Sequence, residues 1–124
     1  MADDQETLDD NESLLELNAA AFAAEAHEPV DSWADVLNSS LGEDFRLRRA
    51  IGEMEDRERM ITRLSRSKPV TRELFGDPEI AVLANTALVC SRVRVGSGTF
   101  HNAKLFDRTP DGLRCVYWRV TRTG

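Results

Sequence analysis

The chain reads as an α+β domain, with three helices packed on one face of an antiparallel sheet. Three observations predict this. Apolar residues recur at helical spacing in two N-terminal segments and again between residues 54 and 67. From Val70 onward, β-branched runs alternate with Gly, Pro, Asn and Asp punctuation. The breaks between those runs are short, which makes successive strands antiparallel neighbours. A length of 124 residues suits one domain with one core.

The acidic opening, "MADDQETLDD", is expected to fray, so the domain is taken as residues 11–124. The first helix is expected from Asn11 to His27. Leu14, Leu17, Ala21 and Phe22 share one face, and six alanines between 19 and 26 favour the helix and keep it thin. Pro29 ends it, and His27 reads as a C-terminal cap. A shorter helix follows, with Ser32 and Asp35 as a capping-box-like start. Trp33, Val36, Leu37 and Leu41 form its apolar face, and Gly42 stops it. "FRLRRAIG" is the first strand. Alternation sets Phe45, Leu47 and Arg49 on one face and Arg46 and Arg48 on the other. "MEDRERMITRLSRS" is the third helix, with Asp56 as N-cap and Met60, Ile61 and Leu64 inward.

Val70–Phe75 and Ile80–Leu83 are expected as two strands broken by "GDP". An "ANT" turn leads to a strand over 87–95. "GSG" leads to a strand over 99–108, and "TPDG" to a last strand over 113–122. Loop length sets register. A three-residue "GSG" loop pairs Val93 with His101. A four-residue "TPDG" loop pairs His101 with Val120 and Ala103 with Trp118. The inward face then carries Val89, Ser91, Val93, His101, Ala103, Leu105, Val116, Trp118 and Val120. Phe100, Asn102, Lys104, Phe106 and Tyr117 fall outside, with Asn102 and Lys104 as surface or interface contacts. Exposed Phe100, Phe106 and Tyr117 would suit a dimer interface.

Charge is uneven. Residues 1–45 hold thirteen acidic side chains and no Lys or Arg; residues 46–124 hold nine acidic and sixteen basic ones. The two parts carry −13 and +7, which make up the chain's −6. This suits two complementary layers of one fold, or a basic part that meets an anionic ligand. Nucleic acid is not expected as a partner: carboxylates dilute the arginines and no reader motif is present. No apolar run reaches membrane-spanning length, and the acidic start lacks a secretory layout, so no membrane association and a cytoplasmic location are expected. Cys90 and Cys115 match no metal or redox spacing. An intervening strand would separate them by roughly 10 Å, beyond disulfide reach. With no metal-ligand set and no glycine-rich phosphate loop, no cofactor is expected.

The element order, together with "LGEDFRLRRAIGEMEDRERMI" and "TALVCSRVRVGSGTFHNAKLFDRTPDGLRCVYWRV", resembles the nuclear transport factor 2-like superfamily. The likeness is nearest to its small bacterial branch, related to SnoaL-like polyketide cyclases and ketosteroid isomerases, and covers about residues 11–122. The resemblance implies a cone-shaped, curved sheet around the helices, a pocket at the wide end, and homodimers through the outer sheet face. Isomerase-like relatives carry a carboxylate base on the first strand, a tyrosine on the first helix and a second acidic donor on a later strand. Aligned on Gly52, Arg49 stands at the base position. Aligned on the "DG" hairpin, His101 stands at the second donor's position and Trp118 on the pocket wall. The first helix has Phe22 and no tyrosine. A guanidinium stays protonated and cannot act as a base, so the standard isomerase mechanism is not supported.

Three functions remain open at this point. The favoured one is a small-molecule-binding protein, the ligand small and organic and of a kind an arginine would hold, with Trp33, Arg49, His101 and Trp118 lining the pocket. The second is a lyase, isomerase or cyclase, with His101 as acid–base and Arg49 holding an oxyanion. The third is a ligand-free dimeric association module. Arg49 could equally be a scaffold residue, ion-paired with a helix carboxylate. His101 could be a hydrogen-bonded core histidine, and the tryptophans plain core.

Overall fold

A computed structural model describes the backbone of residues 2–124 and the side chains from Asn11 onward. The expectation of a frayed acidic start concerns residues whose side chains lie outside that description. Among the described residues there are three helices and six strands: α1 (Ala2–Glu25), α2 (Trp33–Ser40), β1 (Leu41–Arg48), β2 (Met54–Glu55), α3 (Arg57–Ser65), β3 (Glu73–Leu83), β4 (Thr86–Val95), β5 (Gly98–Thr109) and β6 (Gly112–Arg122). The strands form one sheet in the order β2-β1-β6-β5-β4-β3. All neighbours are antiparallel except β1 and β6, which run parallel.

The helices form for the reasons visible in the chain. Leu14, Ala21 and Phe22 of α1 are buried, as are Leu37 of α2 and Met60 and Leu64 of α3. Asp56 caps α3 by accepting the Arg59 amide at 2.8 Å. At the end of α1, the His27 and Glu28 amides return to the carbonyls of Ala24 and Ala23, and His27 itself has φ +60°. That is the left-handed cap glycine usually fills. The His27 ring also donates Nε2–H to the Leu64 carbonyl at 2.7 Å and stacks on Trp33 at 4.5 Å. His27 and Trp33 therefore tie the start of α2 and the end of α3 to the end of α1.

Several expectations need correction. Ser32 starts α2 without a side-chain cap, and the chain turns extended at Leu41, before Gly42. β1 ends at Arg48, so Arg49 lies just beyond the strand. Phe45 and Leu47 are buried and Arg46 and Arg48 exposed, as alternation requires. β2 is a two-residue strand inside the segment expected to be helical. "GDP" does not break the third strand. It forms a bulge between Phe75 and Glu79, with Gly76 at φ +71°.

The main correction is at "GSG". Val95 pairs with Gly98, so the loop is two residues, Gly96 and Ser97. Two-residue hairpins are the commonest kind. The one-residue shift turns β5 over. Phe100, Asn102, Lys104 and Phe106 face the helices, while His101, Ala103 and Leu105 face outward. The β5–β6 pairing starts at Thr109–Gly112, so the second loop is also two residues, Pro110 and Asp111, rather than four, and the register shifts between Leu105 and Phe106. Lys104 then pairs with Trp118, and Val120 faces in beside Asn102. Both cysteines are free, Cys90 half-buried and Cys115 buried, on strands separated by β5. Among the described residues, no helix is long and apolar enough to cross a membrane.

Candidate functional site

A cavity of about 180 Å³ opens between the C-terminal end of α1, α3, the end of β1 and the inner face of β4–β6. Its apolar wall is built by Phe22, Leu47, Val93, Phe100 and Val120. Alternation along each strand delivers those side chains, and Phe22 comes from the buried face of α1. The polar groups are Glu25, Arg49, Arg63, Arg72 and Asn102.

The charges come from four chain segments. Glu25 is the last residue of α1 and is only 8% exposed. Arg72, just ahead of β3, sits 3.6 Å from its carboxylate and donates to its backbone carbonyl at 3.4 Å. Burial raises the Glu25 carboxyl above its ordinary value; Arg72, then Lys104 and Arg63, oppose that rise. Arg63, on α3, uses Nε to grip both oxygens of the buried Glu55 carboxylate, at 3.0 and 2.8 Å. Arg49 meets Glu53 at 3.3 Å on the exposed turn after β1. A guanidinium has five donor hydrogens in a fork that fits a carboxylate or phosphate. Each of these arginines engages a protein carboxylate through one nitrogen, and Arg72 also gives Nη1 to the carbonyls of Glu25 and Val70; among the described residues, the other guanidinium hydrogens have no protein carboxylate partner.

Beneath the cavity lies a polar layer in the core. The Lys104 Nζ is fully buried and donates to Asn18 Oδ1 at 2.8 Å and to the Asn18 carbonyl at 3.3 Å. It lies 3.2 Å from the Phe22 ring centre and 4.1 Å from that of Trp118. Asn18 donates Nδ2–H to Ser91 Oγ at 3.0 Å. Trp118 donates Nε1–H to Asn102 Oδ1 at 2.7 Å and meets Phe22 edge-on. Burial lowers the Lys104 ammonium to about 7, against the opposing pull of Glu25.

The four residues expected to line a pocket do not converge. Arg49 reaches the cavity. Trp118 lies in the core below it, bonded to the lining residue Asn102. Trp33 is scaffold, stacked on His27. His101 is exposed on the outer sheet face, paired with Arg92 and Thr121. The partner of Arg49 is a turn carboxylate rather than a helix one.

Sequence reasoning passed over Asn18, Glu25, Asn102 and Lys104. Asn18 and Glu25 had a signal: they follow Leu14 and Phe22 by four and three residues, the spacing of one helix face. Asn102 and Lys104 were hidden by the loop error alone, since they alternate with Phe100 and Phe106. Among the described residues, no group of three or more His, Cys, Asp or Glu side chains could hold a metal ion.

No protein-family model matches the chain, and no curated protein matches it significantly. Solved structures do resemble it. A nuclear transport factor 2-like protein from Cytophaga hutchinsonii superposes with a TM-score of 0.76 at 15% identity, over 91% of this chain and 98% of that one. One with a cystatin-like fold from Novosphingobium aromaticivorans gives 0.77 at 20% identity, over 98% and 86%. A nuclear transport factor 2 superfamily protein from Salmonella enterica gives 0.75 at 11% identity, over 91% and 90%. None of the three is described as a SnoaL-like cyclase or a ketosteroid isomerase. Identities this low carry architecture only, and on that evidence the chain has the nuclear transport factor 2-like fold, an α+β cone of curved sheet around helices.

Proposed function

We propose that this protein binds a small organic anion in the cavity beside Glu25. One observation carries the reading: Arg49, Arg63 and Arg72, from three separate segments, converge on one apolar cavity. Apolar walls favour a hydrocarbon body, and guanidiniums at the edge favour a carboxylate or phosphate. At about 180 Å³ the space is below the roughly 300–1,000 Å³ of drug-sized sites, so the ligand is small. Benzoate and its neutral analogue benzamide are suitable calorimetric probes. Benzoate should bind and benzamide should not. Arg49→Met should weaken benzoate about 10-fold, the worth of one charge-assisted hydrogen bond. Arg49 is the arginine to change, because its partner Glu53 is exposed and tolerates its loss. Equal binding of the two probes, or of neither, would overturn the reading.

Glu25 supports a second reading, an acid–base enzyme of the lyase or isomerase kind. It is the carboxyl that lines the cavity, and burial raises it above the ordinary carboxylate value against the opposing pull of Arg72. His101 cannot serve that role from the outer face. A cytoplasmic homodimer through the outer sheet face completes the proposal. The expected anchors Phe100 and Phe106 now point inward, so the face would rest on Leu88, Leu105 and Tyr117.

A further inference from the structure

The chain's sixteen cations comprise fourteen arginines and two lysines. Lys68 is exposed; Lys104 is completely buried. Lys104 has a structural role, as donor to Asn18 Oδ1 while Asn18 Nδ2–H goes to Ser91. A buried ammonium is nonetheless a costly donor, since replacing a buried charge by an apolar side chain of similar volume is often neutral or stabilising. Lysine, unlike arginine, sheds its proton when desolvated and becomes a nucleophile.

The amine is also close to the cavity. The Phe22 ring that covers Nζ is the same ring that lines the cavity. Asn102, two residues along the same face of β5, lines the cavity as well and is held by Trp118, the other ring of the cage. The Phe22 ring thus touches both Nζ and the cavity, although Lys104 itself does not line it. Phe22 is only 3% exposed, so turning it aside is a rearrangement of the packed wall, slower than the flips of exposed rings.

We propose that Lys104 captures a carbonyl group: a small carboxylate that also carries an aldehyde or ketone enters the cavity and condenses with Nζ when Phe22 turns aside. The inference rests on the anion-binding reading of the cavity, and it names the substrate class as oxo acids. The neutral amine adds its lone pair to the carbonyl carbon, forming a C–N bond while the oxygen takes a proton. That proton comes in net from the amine; the nitrogen then expels the hydroxyl, which leaves as water with a proton lent by a carboxyl group, and the remaining N–H proton returns to the carboxylate so formed. Glu25, which lines the cavity and whose carboxyl burial raises, is the group placed to lend that proton and take it back. No oxidant or reductant is consumed.

Full-length protein incubated with glyoxylate or 4-formylbenzoate and cyanoborohydride would trap the imine as a stable secondary amine. Intact mass and peptide mapping then locate it. A single adduct on Lys104, formed at least 10-fold faster than on Lys68 in the same molecules, is the expected result. Phe22→Leu should speed it, and Lys104→Met should remove it. Labelling of Lys68 or the N-terminal amine in preference to Lys104 would overturn the proposal. Benzoate separates the two readings. Benzoate binding without a Lys104 adduct overturns carbonyl capture and leaves the anion site standing. A Lys104 adduct that benzoate does not slow supports capture and overturns the anion site. No benzoate binding and no adduct overturns both.

Discussion

Glu25 and Arg72 hold each other in a place where a ligand carboxylate would compete for the same guanidinium. That competition has a pH dependence. The Glu25 carboxyl is raised, chiefly by burial, so it takes up its proton at a higher pH than an ordinary carboxyl near 4.5. Protonated, it is neutral, releases Arg72 and adds a donor. Ionised, it repels an anion and occupies Arg72. Benzoate affinity should therefore fall as pH rises from about 5 through the raised Glu25 range. Glu25→Gln should flatten that fall, with tighter binding than wild type at pH 8. Calorimetry at pH 5, 6, 7 and 8 checks it; a parallel decline in the variant would place the titrating group elsewhere. These two residues also mark what a sequence can show at this scale. Glu25 follows the apolar face of α1 and could be read inward by spacing. Arg72 lies in a segment without periodicity, and only the chain's three-dimensional return brings it to Glu25.

Elements were legible where one physical pattern governed them and illegible where two competed. The helical cores, the Asp56 cap and the alternation of β1 followed from spacing alone. β5 did not, because a hairpin loop of two or three residues reverses every side chain beyond it. The chain held a clue: facing outward, Phe100 and Phe106 would have been exposed unless a dimer partner covered them. The parallel β1–β6 pairing was invisible, since nothing local in either strand encodes a partner about seventy residues away. At "GDP" the punctuation was real and its meaning different. β3 is an edge strand, and a bulge with Pro78 both bends it and blunts the edge against foreign strands. Gly76 makes that bulge with φ +71°, and a Cβ there would collide with the Arg92 guanidinium. A left-handed non-glycine residue costs about 1–2 kcal/mol. Gly76→Ala should lower stability by about that amount, seen as an earlier urea midpoint with unchanged slope. An unchanged midpoint would mean the bulge does not depend on the glycine.

Across the whole molecule, the acidic and basic halves of the chain are not simply two layers that neutralise each other. Arg46, Arg48, Arg92, Arg94 and Arg119 share the outer sheet face with His101. Arg92 and Arg94 flank Phe75 there at 5.1 and 4.8 Å, and Arg94 meets Glu73 at 3.4 Å. Beside them runs an apolar row, Leu88, Leu105 and Tyr117, matched across β4, β5 and β6 by the strand register. A two-fold dimer through this face would set the apolar row against its own copy and bring the arginines of both protomers close. Its affinity would then be limited by like-charge repulsion, which salt screens within about 10 Å at 0.1 M and about 3 Å at 1 M. The dimer should therefore tighten as sodium chloride rises from 50 to 500 mM, the reverse of an association held by ion pairs. Tyr117→Ser should weaken it by 10-fold or more at either salt, as expected for a buried aromatic anchor, and circular dichroism should show the fold intact. Sedimentation equilibrium at both salts decides the matter. A monomer throughout, or a dimer indifferent to Tyr117→Ser, would remove the outer face as the interface.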